Sequence, residues 1–132
     1  AVEHQPPASA IRLRGGSADL KSHGIVPIVF LARCHGLEVG SRARSTLERL
    51  DAATRSGVLS EATRDAVAEA FRFLLGLRLR HQLRAISERQ PPDGAVRVED
   101  LSAIERSRLK ESFREIRRWQ ERAAYHYRTD FF

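Results

Sequence analysis

The stretch SEATRDAVAEAFRFLLGLRLRHQLRAISER, residues 60–89, decides the fold. Ser60 stands where a hydroxyl can accept from an orphan amide of a first helical turn, and the next proline is Pro91. Val67, Phe71, Leu74 or Leu75, and the residues from Leu79 to Ile86 recur at helical spacing, interrupted only by Gly76. The spacing predicts a helix over 60–89, about 43 Å long at 1.5 Å per residue. A helix of that length with one apolar stripe has to bury it against other helices.

Working outward, Gln90-Pro91-Pro92-Asp93-Gly94 stops this helix, and a connection runs to Asp100. Ser102-x-x-Glu105 is a capping box opening a further helix to about Arg128, with Leu109, Phe113, Ile116, Trp119 or Gln120, Ala123 and Tyr127 on one face. Upstream, Ser45-x-x-Glu48 opens a helix that turns Leu47 and Leu50 inward and ends at Gly57. Before it, Pro27 suits a first helical turn, and Ile28, Leu31, Ala32 and His35 repeat at helical spacing until Gly36 and Gly40 weaken the helix. Ile11-Arg12-Leu13-Arg14 and Ala18-Asp19-Leu20-Lys21 alternate around Gly15-Gly16-Ser17, which predicts a small β-hairpin with Ile11, Leu13, Ala18 and Leu20 on apolar faces. The expected fold is all-α: an up-and-down four-helix bundle with a small N-terminal β-hairpin. Residues 1–10 are expected to be a flexible linker and 11–132 the helical domain, a segment of a longer protein.

Composition narrows the function. The 132 residues hold 42% hydrophobic and 30% charged side chains, which excludes collagen-like and wholly disordered chains. A single cysteine, Cys34, can form neither an internal disulfide nor a cysteine-based zinc site; it reads as a small buried apolar residue in a cytoplasmic protein. The longest apolar run, 25–32, is far short of the roughly 20 residues a bilayer span needs. The net charge of +6 comes mostly from 21 arginines that alternate with glutamates at helical spacing, as on a solvated face. Nucleic-acid binding is therefore expected to be weak and nonspecific, if present at all.

Catalytic chemistry finds no support. Gly15-Gly16-Ser17 lacks the Lys-Ser/Thr of a P-loop, no Asp-x-Asp is present to hold metal ions against a triphosphate, and the five histidines have no metal-ligand spacing. There is no nucleophile elbow or Ser/His/Asp signature. More informative are Arg78, His81 and Gln82, which lie at i, i+3 and i+4 on the long helix. Gln120 sits on the apolar stripe of the last helix. Either Gln82, His81 and Gln120 satisfy one another across helices, or they line a ligand pocket. Lys21, Arg33 and Arg78 are cations suited to phosphate charge.

Several separated blocks carry a resemblance. Asp19-Leu20-Lys21-x-x-Gly24-Ile25-x-Pro27-Ile28-Val29-x-Leu31-Ala32-Arg33, Ser45-Thr46-x-Glu48-Arg49-Leu50, Leu77-Arg78-Leu79-Arg80-His81-Gln82 and Leu101-Ser102-x-x-Glu105-Arg106-x-x-Leu109-Lys110 resemble the nucleotidyltransferase substrate-binding domain family, domain of unknown function 294. The resemblance covers about residues 11–128, and Phe30 departs from it where the family often has an acid. It implies a helical, non-catalytic domain that follows a nucleotidyltransferase domain in bacterial signalling proteins, commonly beside cyclic-nucleotide-binding and CBS modules. It is similar to the helices that follow the catalytic domain in PII uridylyltransferase, glutamine synthetase adenylyltransferase and kanamycin nucleotidyltransferase. Gly15-Gly16-Ser17-Ala18-Asp19 loosely echoes a Gly-Gly-x-Arg-Asp element that leads into the helices of the first two.

The resemblance further implies that this chain holds no cofactor, that Mg and a nucleoside triphosphate belong to the upstream domain, and that this piece faces an acceptor, a protein or a small molecule. Asp19 and Lys21 would lie nearest the junction, with Arg33, Arg78, His81, Gln82 and Gln120 completing the substrate-binding set. The alternative is a helical protein-interaction or nucleic-acid-binding module, for which Ser56-Gly57-Val58-Leu59 offers a weak helix-turn-helix echo.

Overall fold

Serine hydroxyls start three of the four helices. Ser45 Oγ accepts from Glu48 N at 3.2 Å, Ser60 Oγ from Thr63 N at 3.1 Å and Ser102 Oγ from Glu105 N at 3.1 Å. Glu105 returns a bond to Ser102 N at 3.0 Å, closing the capping box the sequence predicts. In the computed structural model, which describes residues 16–92 and 95–131, the helices are α1 Val26–Glu38, α2 Thr46–Arg55, α3 Glu61–Ser87 and α4 Ala103–Phe131. They form the expected all-α, up-and-down arrangement, with α1 packed on α2 and α4, and α3 packed on α2 and α4.

Three helices end in the same way. After α1, Ser41 N bonds Gly36 O and Gly40 N bonds Leu37 O; after α2, Val58 N bonds Ala53 O and Gly57 N bonds Thr54 O. Gly40 and Gly57 take the left-handed φ (+68° and +79°) that this closure requires. After α3 the same pair of bonds, Gln90 N to Ala85 O and Arg89 N to Ile86 O, forms with Arg89 at φ 56°.

The small sheet differs from the expectation in its pairing. Strand β1, Ser17–Asp19, runs antiparallel to β2, Ala95–Arg97, in the register Ala18 to Val96. The expected partner 11–14, and the linker 1–10, lie outside the described residues. Gly16-Ser17 is not the turn: Gly16 O accepts from Val98 N at 3.0 Å, and Ser17 opens the strand. Nor do Leu20 and Lys21 continue the strand, because Asp19 Oδ1 accepts from Ser22 N at 3.0 Å and turns the chain into a helix.

That helix begins with one wide π turn, Lys21–Ile25, closed by Val26 N–H to Lys21 C=O, before α1 proper. Pro27 has no N–H and its ring would crowd the carbonyl four residues back in a regular helix. The wide turn precedes it directly, as insertions that relieve such crowding do. A Cβ on Gly24 would stand 2.6 Å from Leu74 Cδ1 and 3.4 Å from Phe113 Cε1, so the bare backbone lets this turn sit on α3 and α4.

The core gathers Leu20, Ile28, Leu50, Val67, Leu74, Leu109, Phe113, Ile116 and Trp119, all essentially inaccessible. Of the two alternatives in α3, Leu74 faces in and Leu75 faces out; in α4, Trp119 is buried and Gln120 half-buried. One expectation is corrected. Beyond Leu75 the buried line of α3 runs through Leu77 and Ala85, whereas Leu79, Leu83 and Ile86 are exposed. The Leu79–Ile86 segment carries apolar residues on two faces, and periodicity alone does not say which one the core takes.

Candidate functional site

The last turns of α3 pass under β2 and the 3-10 turn Val98–Asp100, leaving a cleft of about 480 Å³. Leu77, Ala85, Val96 and Leu101 form its apolar wall, Arg80, Arg84 and Arg97 bring positive charge, and His81, Glu88 and Asp100 complete its polar lining. Each of the three arginines also meets a carboxylate: Arg80 meets Glu105, Arg84 meets Glu88 at 3.3 Å and Arg97 meets Glu99. A guanidinium has five N–H donors, so one carboxylate leaves donors for another anion. Glu105, bonded by Ser102 N and by Arg80, has its carboxyl held below the usual range and stays an anion.

The structure does not bring the seven residues singled out in the sequence into one place. His81 lines the cleft, and Arg78 and Gln82 sit half-buried on neighbouring turns of α3. The Nε of Arg78 and the Nδ1 of His23 are buried without a hydrogen-bond partner among the described residues. Asp19 caps the turn that follows β1, and Lys21 is exposed one turn away. Arg33 is exposed on α1.

Gln120 lines a different, apolar groove of about 750 Å³ between α1 and α4, with Phe30, Cys34 and Tyr127. Helices α3 and α4 are antiparallel, registered by Arg80 against Glu105 at one end and Thr63 against Arg122 (3.2 Å) at the other. Gln120 therefore stands opposite the start of α3 and Gln82 near its end, a displacement of about 25 Å at 1.5 Å per residue. A network joining Gln82, His81 and Gln120 does not form. Cys34 is half-buried in the groove rather than fully buried, and its thiol is pushed up by desolvation, against the nearby Arg33 charge.

The most elaborate polar arrangement lies elsewhere, on residues the sequence reading took only as apolar-stripe positions or passed over. His35 is buried on α1; Trp119 Nε1 donates to its Nε2 at 2.9 Å, and its Nδ1 lies 2.8 Å from Tyr127 Oη. Tyr127 Oη donates to Glu38 Oε2 at 3.4 Å, and Glu38 Oε1 lies 2.6 Å from His126 Nε2. Indole N–H can only donate, so Nε2 of His35 must accept and the neutral ring carries its proton on Nδ1. Burial, more than any neighbouring charge, holds the His35 pKa below its ordinary value. The histidine spacing on α1 marked this ring as inward-facing, but nothing local pointed to Trp119 or Tyr127.

Among the described residues no three His, Cys, Asp or Glu side chains gather as metal ligands. No helix there is long and apolar enough to cross a membrane. The family described as "Putative nucleotidyltransferase substrate binding domain" matches the chain over residues 3–127. No curated protein and no solved structure matches it.

Proposed function

Because the chain belongs to the family of nucleotidyltransferase substrate-binding domains, with nearly its whole length matched, we propose that it is the non-catalytic helical part of a nucleotidyltransferase and holds the acceptor substrate. Its partner is a nucleotidyltransferase domain that supplies the metal ions and the nucleoside triphosphate. The observation that supports this reading is the cleft where Arg80, His81, Arg84 and Arg97 stand around an apolar wall. Convergent cations beside apolar surface suit an acceptor that carries negative charge, and Arg donors on rigid helical turns orient it. Asp19 fits a positioning role, because it fixes the bend from β1 into the helices and so the attitude of β2 over the cleft.

The test is nucleotidyl transfer by a polypeptide in which this domain follows its catalytic domain. Arg84→Ala with His81→Ala should raise the acceptor KM by about tenfold to a hundredfold, the loss of 1.5–3 kcal/mol typical of charge-assisted contacts, and leave the triphosphate KM unchanged. Unchanged acceptor kinetics in a folded variant would remove the cleft from the acceptor site.

A further inference from the structure

Helices α1 and α4 run parallel where they meet: Gly24 lies beside Phe113, and Glu38 meets Tyr127, an offset of 89 positions in both pairs. That register sets Phe30, Cys34 and Leu37, at i, i+4 and i+7, against Gln120, Ala124 and Tyr127 at the same spacing. Between the two rows lies the apolar groove of about 750 Å³, two helical turns or about 10 Å long. Its volume falls in the range of small-ligand sites. No Lys, Arg or His among the described residues lines it, and its one carboxylate, Glu38, is already bonded by Tyr127 and His126. The Tyr127 ring is tethered through its hydroxyl to His35 and Glu38, and Phe30 stands 63% exposed on the α1 rim. Gln120 alone is unengaged: its half-buried amide has no hydrogen-bond partner among the described residues.

We propose that this groove binds an uncharged planar heterocycle with adjacent N–H and acceptor atoms on one edge, the chemistry of a nucleobase. A primary amide presents a donor and an acceptor side by side, so Gln120 matches such an edge with two hydrogen bonds. A hydrocarbon chain would fill the volume but cover the Gln120 amide without bonding it, which weakens binding. An anion would find no cation in the lining and would meet the Glu38 carboxylate. A flat ring suits walls formed by Phe30, Leu31 and Tyr127, because aromatic rings favour one another's faces and edges. Gln120 lies about 22 Å along α4 from Glu105, the partner of Arg80 at the cleft, so the groove stands or falls independently of the proposed function.

The experiment titrates the isotope-labelled 132-residue protein with uridine and with adenosine, followed by NMR. At least one should bind with a dissociation constant on the order of 1 mM or tighter. It should shift the Gln120 side-chain amide resonances and slow the reaction of Cys34, the only cysteine, with N-ethylmaleimide. N3-methyluridine or N6,N6-dimethyladenosine, whose edge lacks the donor, should bind at least about tenfold more weakly than its parent. Gln120→Leu, its fold checked by circular dichroism, should erase that preference. Equal binding of the methylated nucleosides, shifts that vanish in the Arg84→Ala, His81→Ala variant, or no binding of either nucleoside would overturn the proposal. So would binding of decanoate or naphthalene in their place, or self-association in sedimentation that disappears in Phe30→Ser, which would give the groove to a purely apolar ligand or to a second copy.

Discussion

Trp119 donates its indole proton to His35 Nε2 across 2.9 Å and 84 positions of sequence, and so fixes the protonation state of a buried imidazole. An imidazolium would point an N–H at an N–H. Tyr127 and Glu38 bond the other side of the ring, with His126 beyond Glu38, so this chain ties α4 to α1 at one end of the bundle.

The His35 pKa is lowered in the folded protein from its ordinary 6.5. Below 6.5 the unfolded chain then binds a proton that the folded chain does not, so stability falls as the solution is acidified. One such group costs at most about 1.4 kcal/mol per pH unit in that window. Urea midpoints should drop between pH 7.5 and 5.5, where carboxylates remain charged, and the drop should shrink in His35→Gln, which cannot titrate. An equal drop in both proteins would place the effect on groups other than His35.

Trp119→Phe keeps most of the packing and removes the donor. It should cost about 1–3 kcal/mol, the penalty of leaving His35 Nε2 buried and unsatisfied. With no N–H opposing it, Nε2 should also accept a proton at higher pH. Imidazole titration by NMR checks this: a His35 pKa no higher than in the parent would show that desolvation alone sets it.

Gly24→Ala places a methyl against Leu74 Cδ1 at 2.6 Å. The contacted atom is the end of a side chain, but Leu74 is fully buried and has little room to turn. A loss of about 1–3 kcal/mol is expected, as for other overpacked cores. Because the two sites share one space, Gly24→Ala with Leu74→Ala should lose less than the sum of the single changes in urea unfolding. Strict additivity would mean that the turn moves away instead.

What the sequence made legible was local. Ser45, Ser60 and Ser102 announced helix starts because a hydroxyl reaches amides only three residues on, and Gly40 and Gly57 marked stops because a left-handed closure favours glycine. Strand β2 was hidden: three residues carry almost no periodic signal, and their partner lies 78 positions upstream in the register Ala18 to Val96. The choice between the two apolar faces of α3 was equally hidden, since it depends on where α2 ends. Of the candidate site, His81 was found because it shares a helix face with Arg78 and Gln82 at i, i+3 and i+4; Arg97 was missed because only the long-range pairing of β2 brings it over α3.

Arg89 closes α3 with a left-handed backbone at φ 56°, in the position that Gly40 and Gly57 fill after α1 and α2. A side chain there is crowded against its own carbonyl, at a cost of about 1–2 kcal/mol. Arg89→Gly removes that strain but adds freedom to the unfolded chain, which returns part of the gain. The melting temperature should rise, by up to about 1 kcal/mol in free energy. A fall would show that the Arg89 side chain makes a stabilising contact that outweighs its backbone strain.

Arg78 separates structure from function most sharply. Its Nε is buried without a partner among the described residues, so in the isolated domain the guanidinium is a liability that a methionine of similar length would not carry. Arg78→Met should therefore leave stability unchanged or raise it by about 1 kcal/mol. If the side chain binds acceptor phosphate or carboxylate beside the cleft, the same change should weaken acceptor use about tenfold to a hundredfold in the polypeptide with its catalytic domain. A variant that loses stability while keeping its acceptor kinetics would show the opposite: Arg78 contributes to packing and touches no substrate.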